Sequence, residues 1–112
     1  MSCSFEEIGH LSITVPETGC TAGKVCTLNG SGKAVPCNAG DRFCGVIESV
    51  AGGYAGVQIH GFVTVSYTGT APAIGYVNLT ANGNGGVKTD ASGDSYFVVA
   101  VDTVKAMVTM EL

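Results

Sequence analysis

Between Phe43 and Tyr67 the chain reads FCGVIESVAGGYAGVQIHGFVTVSY, and the second half of this stretch alternates. Val57, Ile59, Val63, Val65 and Tyr67 fall on one side, with Gly61 among them. Gln58, His60, Thr64 and Ser66 fall on the other, with Phe62 the one apolar exception. Successive side chains of a strand point to opposite faces, so this period of two predicts a single half-buried β-strand about ten residues long. Phe43 to Val50 predicts a second, more apolar strand. Gly52-Gly53 between them predicts a tight reversal, because glycine reaches positive φ without a steric penalty.

The 112 residues make one domain, which can bury roughly two thirds of its unfolded surface. Charged residues are 12% where about 25% is typical, and Gly fills 17 positions where ~7% of a chain is usual. The surface is therefore expected to be mostly Ser, Thr, Asn and Gly, a neutral coat suited to packing against other molecules. Lys and Arg total five and form no basic run, so no nucleic-acid partner is expected. No charge occurs between Ser49 and Val87. The period of two and the recurrent glycines, with no apolar run near ~18 residues, still argue against a membrane span. MSCSFEEIGH has no positive charge and no apolar core, so it does not read as a signal peptide.

Residues 1–8 fit no strand pattern and are expected to form an arm that gains order on assembly, with Phe5 and Ile8 as its apolar anchors. The cysteines are Cys3, Cys20, Cys26, Cys37 and Cys44. An odd number without a signal peptide predicts reduced thiols in a cytosolic setting and no disulfide. C-x-x-C spacing is absent, so a zinc site built from these and His10 or His60 is not expected; most of the thiols should act as small buried hydrophobes.

After the arm the chain reads as written twice. GHLSITVPETGCTAGKV (9–25) lies over GFVTVSYTGTAPAIGYV (61–77) at a constant offset of 52, which Val35 and Val87 keep. AGDRF (39–43) then lies over SGDSY (92–96), and AGVQI (55–59) over AMVTM (106–110). This predicts two copies of one β unit, 9–60 and 61–112, within a single β domain spanning 9–112. Five short strands are expected per unit, in the second Phe62–Tyr67, Tyr76–Thr80, Val87–Thr89, Tyr96–Val101 and Lys105–Leu112. NGNGG (82–86) predicts a hairpin of type I′, and DASGD (90–94) a further turn. The fold expected is all-β, a small barrel or sandwich of about ten short strands without a long helix.

No catalytic constellation stands out. His60 has no paired acid or nucleophile in the pattern, and His10 reads as a side-chain slot. Asp90 and Asp94 lack the remainder of a calcium loop, and the Gly-Asp pairs at 40–41 and 93–94 read as turn devices. No Ser sits in a nucleophile elbow, and no phosphate or dinucleotide loop occurs. No enzyme, cofactor or metal is expected.

The succession GKV…GKAVP…AGDRFCGVIESV…AGVQIHGFVTV…AIGYVNL…GGVKT…SGD…V resembles the capsid cement, or head decoration, family of tailed phages, from about Gly23 to Leu112. That resemblance implies a small all-β structural protein, assembled in the host cytoplasm, that binds the outside of the expanded capsid in the virion. It implies the major capsid protein and neighbouring copies of the chain as partners, with Phe5 and Ile8 as expected contacts, and a role in holding the shell against packed DNA. Low charge, a free arm and exposed strand edges fit this expectation. The alternative is a virion-surface or cell-surface adhesion module that binds glycans by stacking on Tyr54, Tyr67 and Tyr76. Clustering of those tyrosines on one exposed face would favour it.

Overall fold

The computed structural model describes residues 10–112. Ten strands follow one another: β1 Leu11–Pro16, β2 Val25–Leu28, β3 Ala34–Pro36, β4 Gly45–Ala51, β5 Tyr54–His60, β6 Phe62–Ser66, β7 Gly75–Ala81, β8 Val87–Thr89, β9 Asp94–Asp102 and β10 Met107–Glu111. They form two five-stranded antiparallel sheets, ordered β1-β5-β4-β2-β3 and β6-β10-β9-β7-β8. There is no helix among the described residues. The all-β expectation holds, as a small two-sheet β structure.

The alternating stretch is not one strand. It breaks at Gly61, whose φ of 100° lies in the left-handed region that favours glycine. β5 ends at His60 in the first sheet and β6 starts at Phe62 in the second. The alternation persists across the break because both halves keep an inward face. Gln58, expected on a polar face, is buried instead. Its amide nitrogen donates to the His60 carbonyl at 3.0 Å and to the Phe62 carbonyl at 3.1 Å, so one side chain grips both sides of the junction. Ile59 is the extra residue that makes this geometry fit, since Leu11 faces His60 but Ser12 faces Gln58.

The outer strands of each sheet meet. Glu17, just past β1, bridges Ala34 of β3, and the Thr18 N–H donates to the Ala34 carbonyl at 3.0 Å. Tyr67, just past β6, bridges Val87 of β8, and Thr68 donates to the Val87 carbonyl at 3.0 Å. Each sheet therefore curls back on itself, and the strand edges are less open than expected. The fourth strand of each sheet carries a bulge, at Glu48 in β4 and at Val99 in β9, which sharpens that curl.

The two sheets thus have the same strand order, the second repeating the first with every label raised by five. The matching bridges are offset by 50 on one side (67 − 17) and 53 on the other (87 − 34). The sequence offset of 52 is therefore not kept along the pairing. Asn29 accepts hydrogen bonds from the N–H groups of Ser31 and Lys33, and Asn82 does the same for Asn84 and Gly86, again 53 apart. NGNGG is accordingly a five-residue loop folded around the Asn82 side chain rather than a two-residue type I′ turn, while Gly52 and Gly53, both at positive φ, close β4 onto β5 as expected.

Inside the first sheet, Cys26, Ala34, Ile47, Ala55 and Val57 are buried together with Ile13, Val15, Cys20 and Ile59 against them. The second core holds Val63, Val65, Leu79, Val87, Val98, Val108 and Met110, and takes in Val25, Cys37, Phe43 and Val46 from the first half. That shared core joins the halves, since burial of apolar area is the main favourable contribution to folding. Hydrogen bonds add to it: Gly40 donates to the Ala81 carbonyl at 2.8 Å, Ala81 to Asp41 at 3.0 Å, and Val25 to Gly85 at 3.0 Å. Phe43 and Tyr96 stack at 4.9 Å, and Arg42 pairs with Asp94 at 2.6 Å beside them. Among the described residues every buried side-chain polar atom has a partner.

Two changes test this account. Gln58→Leu keeps the volume but strands two carbonyls, and should cost about 1–3 kcal/mol in denaturant unfolding; a loss under ~0.5 kcal/mol would show that the amide does not hold the junction. A Cβ on Gly93 would stand 2.5 Å from the Leu79 carbonyl oxygen, whereas one on Gly30 meets nothing within 4 Å. Gly93→Ala should therefore destabilise by more than about 2 kcal/mol and Gly30→Ala by less than about 0.5 kcal/mol.

Candidate functional site

Cross-strand partners in an antiparallel sheet point to the same face. In the second sheet Phe62 of β6 faces Glu111 of β10, Glu111 faces Phe97 of β9, and Phe97 faces Tyr76 of β7. These four form one row across the outside of the sheet. Tyr76 is 79% exposed and Phe62 and Phe97 37% each, and Ile74 at 64% lies just before β7. Tyr76 and Phe97 touch with ring centroids 5.1 Å apart, tilted by 42°. The local sequence explains the placement: in Tyr96-Phe97-Val98 the alternation sends Val98 into the core, leans Tyr96 on Phe43 and turns Phe97 outward. A run of large apolar side chains on an outer face marks a contact surface more than isolated ones do.

This row was not singled out from the sequence. Phe62 registered only as an exception to the polar face, and the strand pairing that gathers it with Phe97 and Tyr76 is long-range. The tyrosines named for glycan stacking do not gather. Tyr67 is buried in the second core, Tyr54 lies in the first sheet and Tyr76 in the second. Phe5 and Ile8 lie outside the described residues.

A polar cluster sits on the first sheet. The Ser12 hydroxyl donates to the Glu48 carboxylate, and His10 Nε2 lies 2.9 Å from Ser12 Oγ and 3.0 Å from Glu48 Oε2. The Glu48 bulge turns this carboxylate toward β1. The residue types match a hydrolytic triad but the geometry does not. The acid shares Nε2 with the serine instead of orienting the ring through Nδ1, and the serine proton already goes to the carboxylate. The cluster fastens the start of β1 to β4 across β5. His10, read from the sequence as a side-chain slot rather than a ligand, fastens the start of β1 through Ser12 and Glu48, and His60 stands exposed at the end of β5.

The acidic turns are structural. Asp90 Oδ1 accepts from the Ser92 N–H at 3.0 Å and its hydroxyl at 2.7 Å, and these bonds hold the carboxyl below its usual range. Asp41 Oδ2 accepts from Asn38 N–H at 2.9 Å. No group of three or more His, Cys, Asp or Glu among the described residues could hold a metal ion.

No family model matches the chain, and neither a curated protein nor a solved structure matches it.

Proposed function

We propose that the chain is a capsid decoration protein of a tailed phage, which binds the outer surface of the head and stabilises the shell. The observation that carries this reading is the aromatic row of Phe62, Phe97 and Tyr76 on a surface with few charges. Docking through such a row gains from dehydrating apolar area, while the sparse charges place little desolvation penalty on contact with a capsid protein. The sequence pattern from Gly23 to Leu112 supports the same reading. The partners are then the major capsid protein and neighbouring copies of the chain, with Met1 to Ile8 as a second contact through Phe5 and Ile8. Many weak sites on one shell would add up through avidity.

We further infer that the two sheets are pseudo-repeated units. The shared strand order and the paired Asn29 and Asn82 loops support this. Superposing 11–60 on 62–111 should bring all five strand pairs together; unrelated positions for the matched strands would refute it.

Tyr76→Ser with Phe97→Ser removes the touching pair; Tyr76 is mostly exposed and Phe97 partly covered, so the double variant should lose about 1–3 kcal/mol of stability yet remain folded, as denaturant unfolding checks. On expanded heads of a tailed phage that the unaltered chain decorates, the double variant should lose at least about tenfold in affinity, the loss of two apolar anchors. Deleting residues 1–8 should lower occupancy further. Full decoration by both variants, with equal protection of the heads against heat, would refute the proposal.

A further inference from the structure

Cys20, Cys26, Cys37 and Cys44 are free thiols on the first half of the chain, and they differ sharply in setting. Cys26 lies in β2, fully buried with Ile47 and Val57. Cys44, immediately before β4, is exposed and lines a groove of about 510 Å³ that opens between the two halves beside Tyr96 and Leu112. The backbone sets these two residues against each other. Cys44 N–H donates to the Cys26 carbonyl at 2.9 Å, and Cys26 is in register with Gly45, the next residue along. This backbone contact and the Cys26–Gly45 register hold the two residues side by side, within the backbone separation that a disulfide spans.

Hydrogen bonding by the neighbouring Cys26 thiol pulls the Cys44 thiol down to about 7, against the effect of burial and aided by the N–H groups of Cys44 and Leu28. The same bond, with burial, pushes Cys26 well up. Burial, with Asp41 next, pushes Cys37 up to about 12, and burial with Glu17 raises Cys20. Among the described cysteines, Cys44 alone combines exposure with a stabilised thiolate. The thiolate is the nucleophile in disulfide exchange.

We propose that Cys44 and Cys26 form a dithiol redox site, in which Cys44 attacks a small-molecule disulfide entering the groove and Cys26 then closes an internal Cys26–Cys44 disulfide. In the first step the Cys44 sulfur bonds to one sulfur of the small disulfide. The S–S bond breaks and the other half leaves as a thiolate with the electron pair. That thiolate accepts the proton of Cys26, whose sulfur no longer has an anion to share it with. The Cys26 sulfur attacks the Cys44 sulfur and expels the second half as a thiolate, which takes up the proton Cys44 had released to water. Two protein thiols are oxidised, and one small disulfide is reduced to two thiols. The product ties β2 to the segment entering β4, beside the junction of the two halves.

The test is to expose the reduced full chain to oxidised glutathione, quench with acid and map the cysteine peptides by mass spectrometry. The expected product is a Cys26–Cys44 linked peptide, lighter by two hydrogens. Alkylation at neutral pH should consume Cys44 at least ~fivefold faster than Cys20 or Cys37, the gain in thiolate fraction being partly offset by weaker nucleophilicity. Its rate should rise with pH through a midpoint near 7. Cys44→Ser should abolish the reaction, and Cys26→Ser should halt it at a glutathione adduct on Cys44; Cys26→Ala replaces it if the serine unfolds the core. Linkage between other cysteines, a stable glutathione adduct on the unaltered chain, or equal rates at Cys20 and Cys44 would overturn the proposal.

Discussion

The junction at Gly61 is the constraint on which the remaining architecture depends. A chain with an unbroken period of two would run on as one long strand and leave one sheet with nothing to cover it. Gly61 turns the backbone at a φ of 100°, and the buried Gln58 amide holds the carbonyls on either side. The inward faces before and after the turn then serve separate sheets. Because Val25, Cys37, Phe43 and Val46 reach into the second core, the turn also fixes how the halves meet. The β3–β4 segment lays Gly40 and Asp41 along Ala81, and the 82–86 loop returns to Val25. An added Cβ at Gly85 would collide with the Lys24 side chain and one at Gly86 with the Ser66 carbonyl, so that loop docks only because it is nearly all glycine and asparagine.

Much of this was legible in the residues. Strand positions in the second half agree to within a residue or two, because β8 and β9 are bounded by Gly and Asp turns whose chemistry is local. The Gly52-Gly53 reversal was legible for the same reason. The break at Gly61 showed in the repeat, whose second unit opens there with a strand from Phe62, but not in the alternation, which reports which side of a strand is apolar and does not report which sheet it joins. The position of Gln58 shows the limit clearly: an amide reads as surface-facing until its two carbonyl partners are known. The expected offset of 52 misses the likeness of the loops Asn29-Gly30-Ser31-Gly32 and Asn82-Gly83-Asn84-Gly85, which lie 53 apart.

The candidate surface was hidden for a related reason. Phe62, Phe97 and Tyr76 lie far apart in the chain, and only the ladder through Glu111 brings them into one row. The thiols show the opposite behaviour. Cys26 and Cys37 are buried as expected of small hydrophobes, whereas Cys20 is only half-buried and Cys44 is exposed, and the contrast between Cys26 and Cys44 depends on how the segment entering β4 meets β2. A chain with few charges leaves such packing details to define its surface, because no strong electrostatic field directs partners from a distance.

The most direct measurement is an electron cryomicroscopy reconstruction of expanded heads mixed with the purified chain. The account predicts density on the outer surface of the shell, with the second sheet turned so that Phe62, Phe97 and Tyr76 meet the capsid protein. Bare heads, or decorated heads on which that row faces solvent and another face makes the contact, would contradict it.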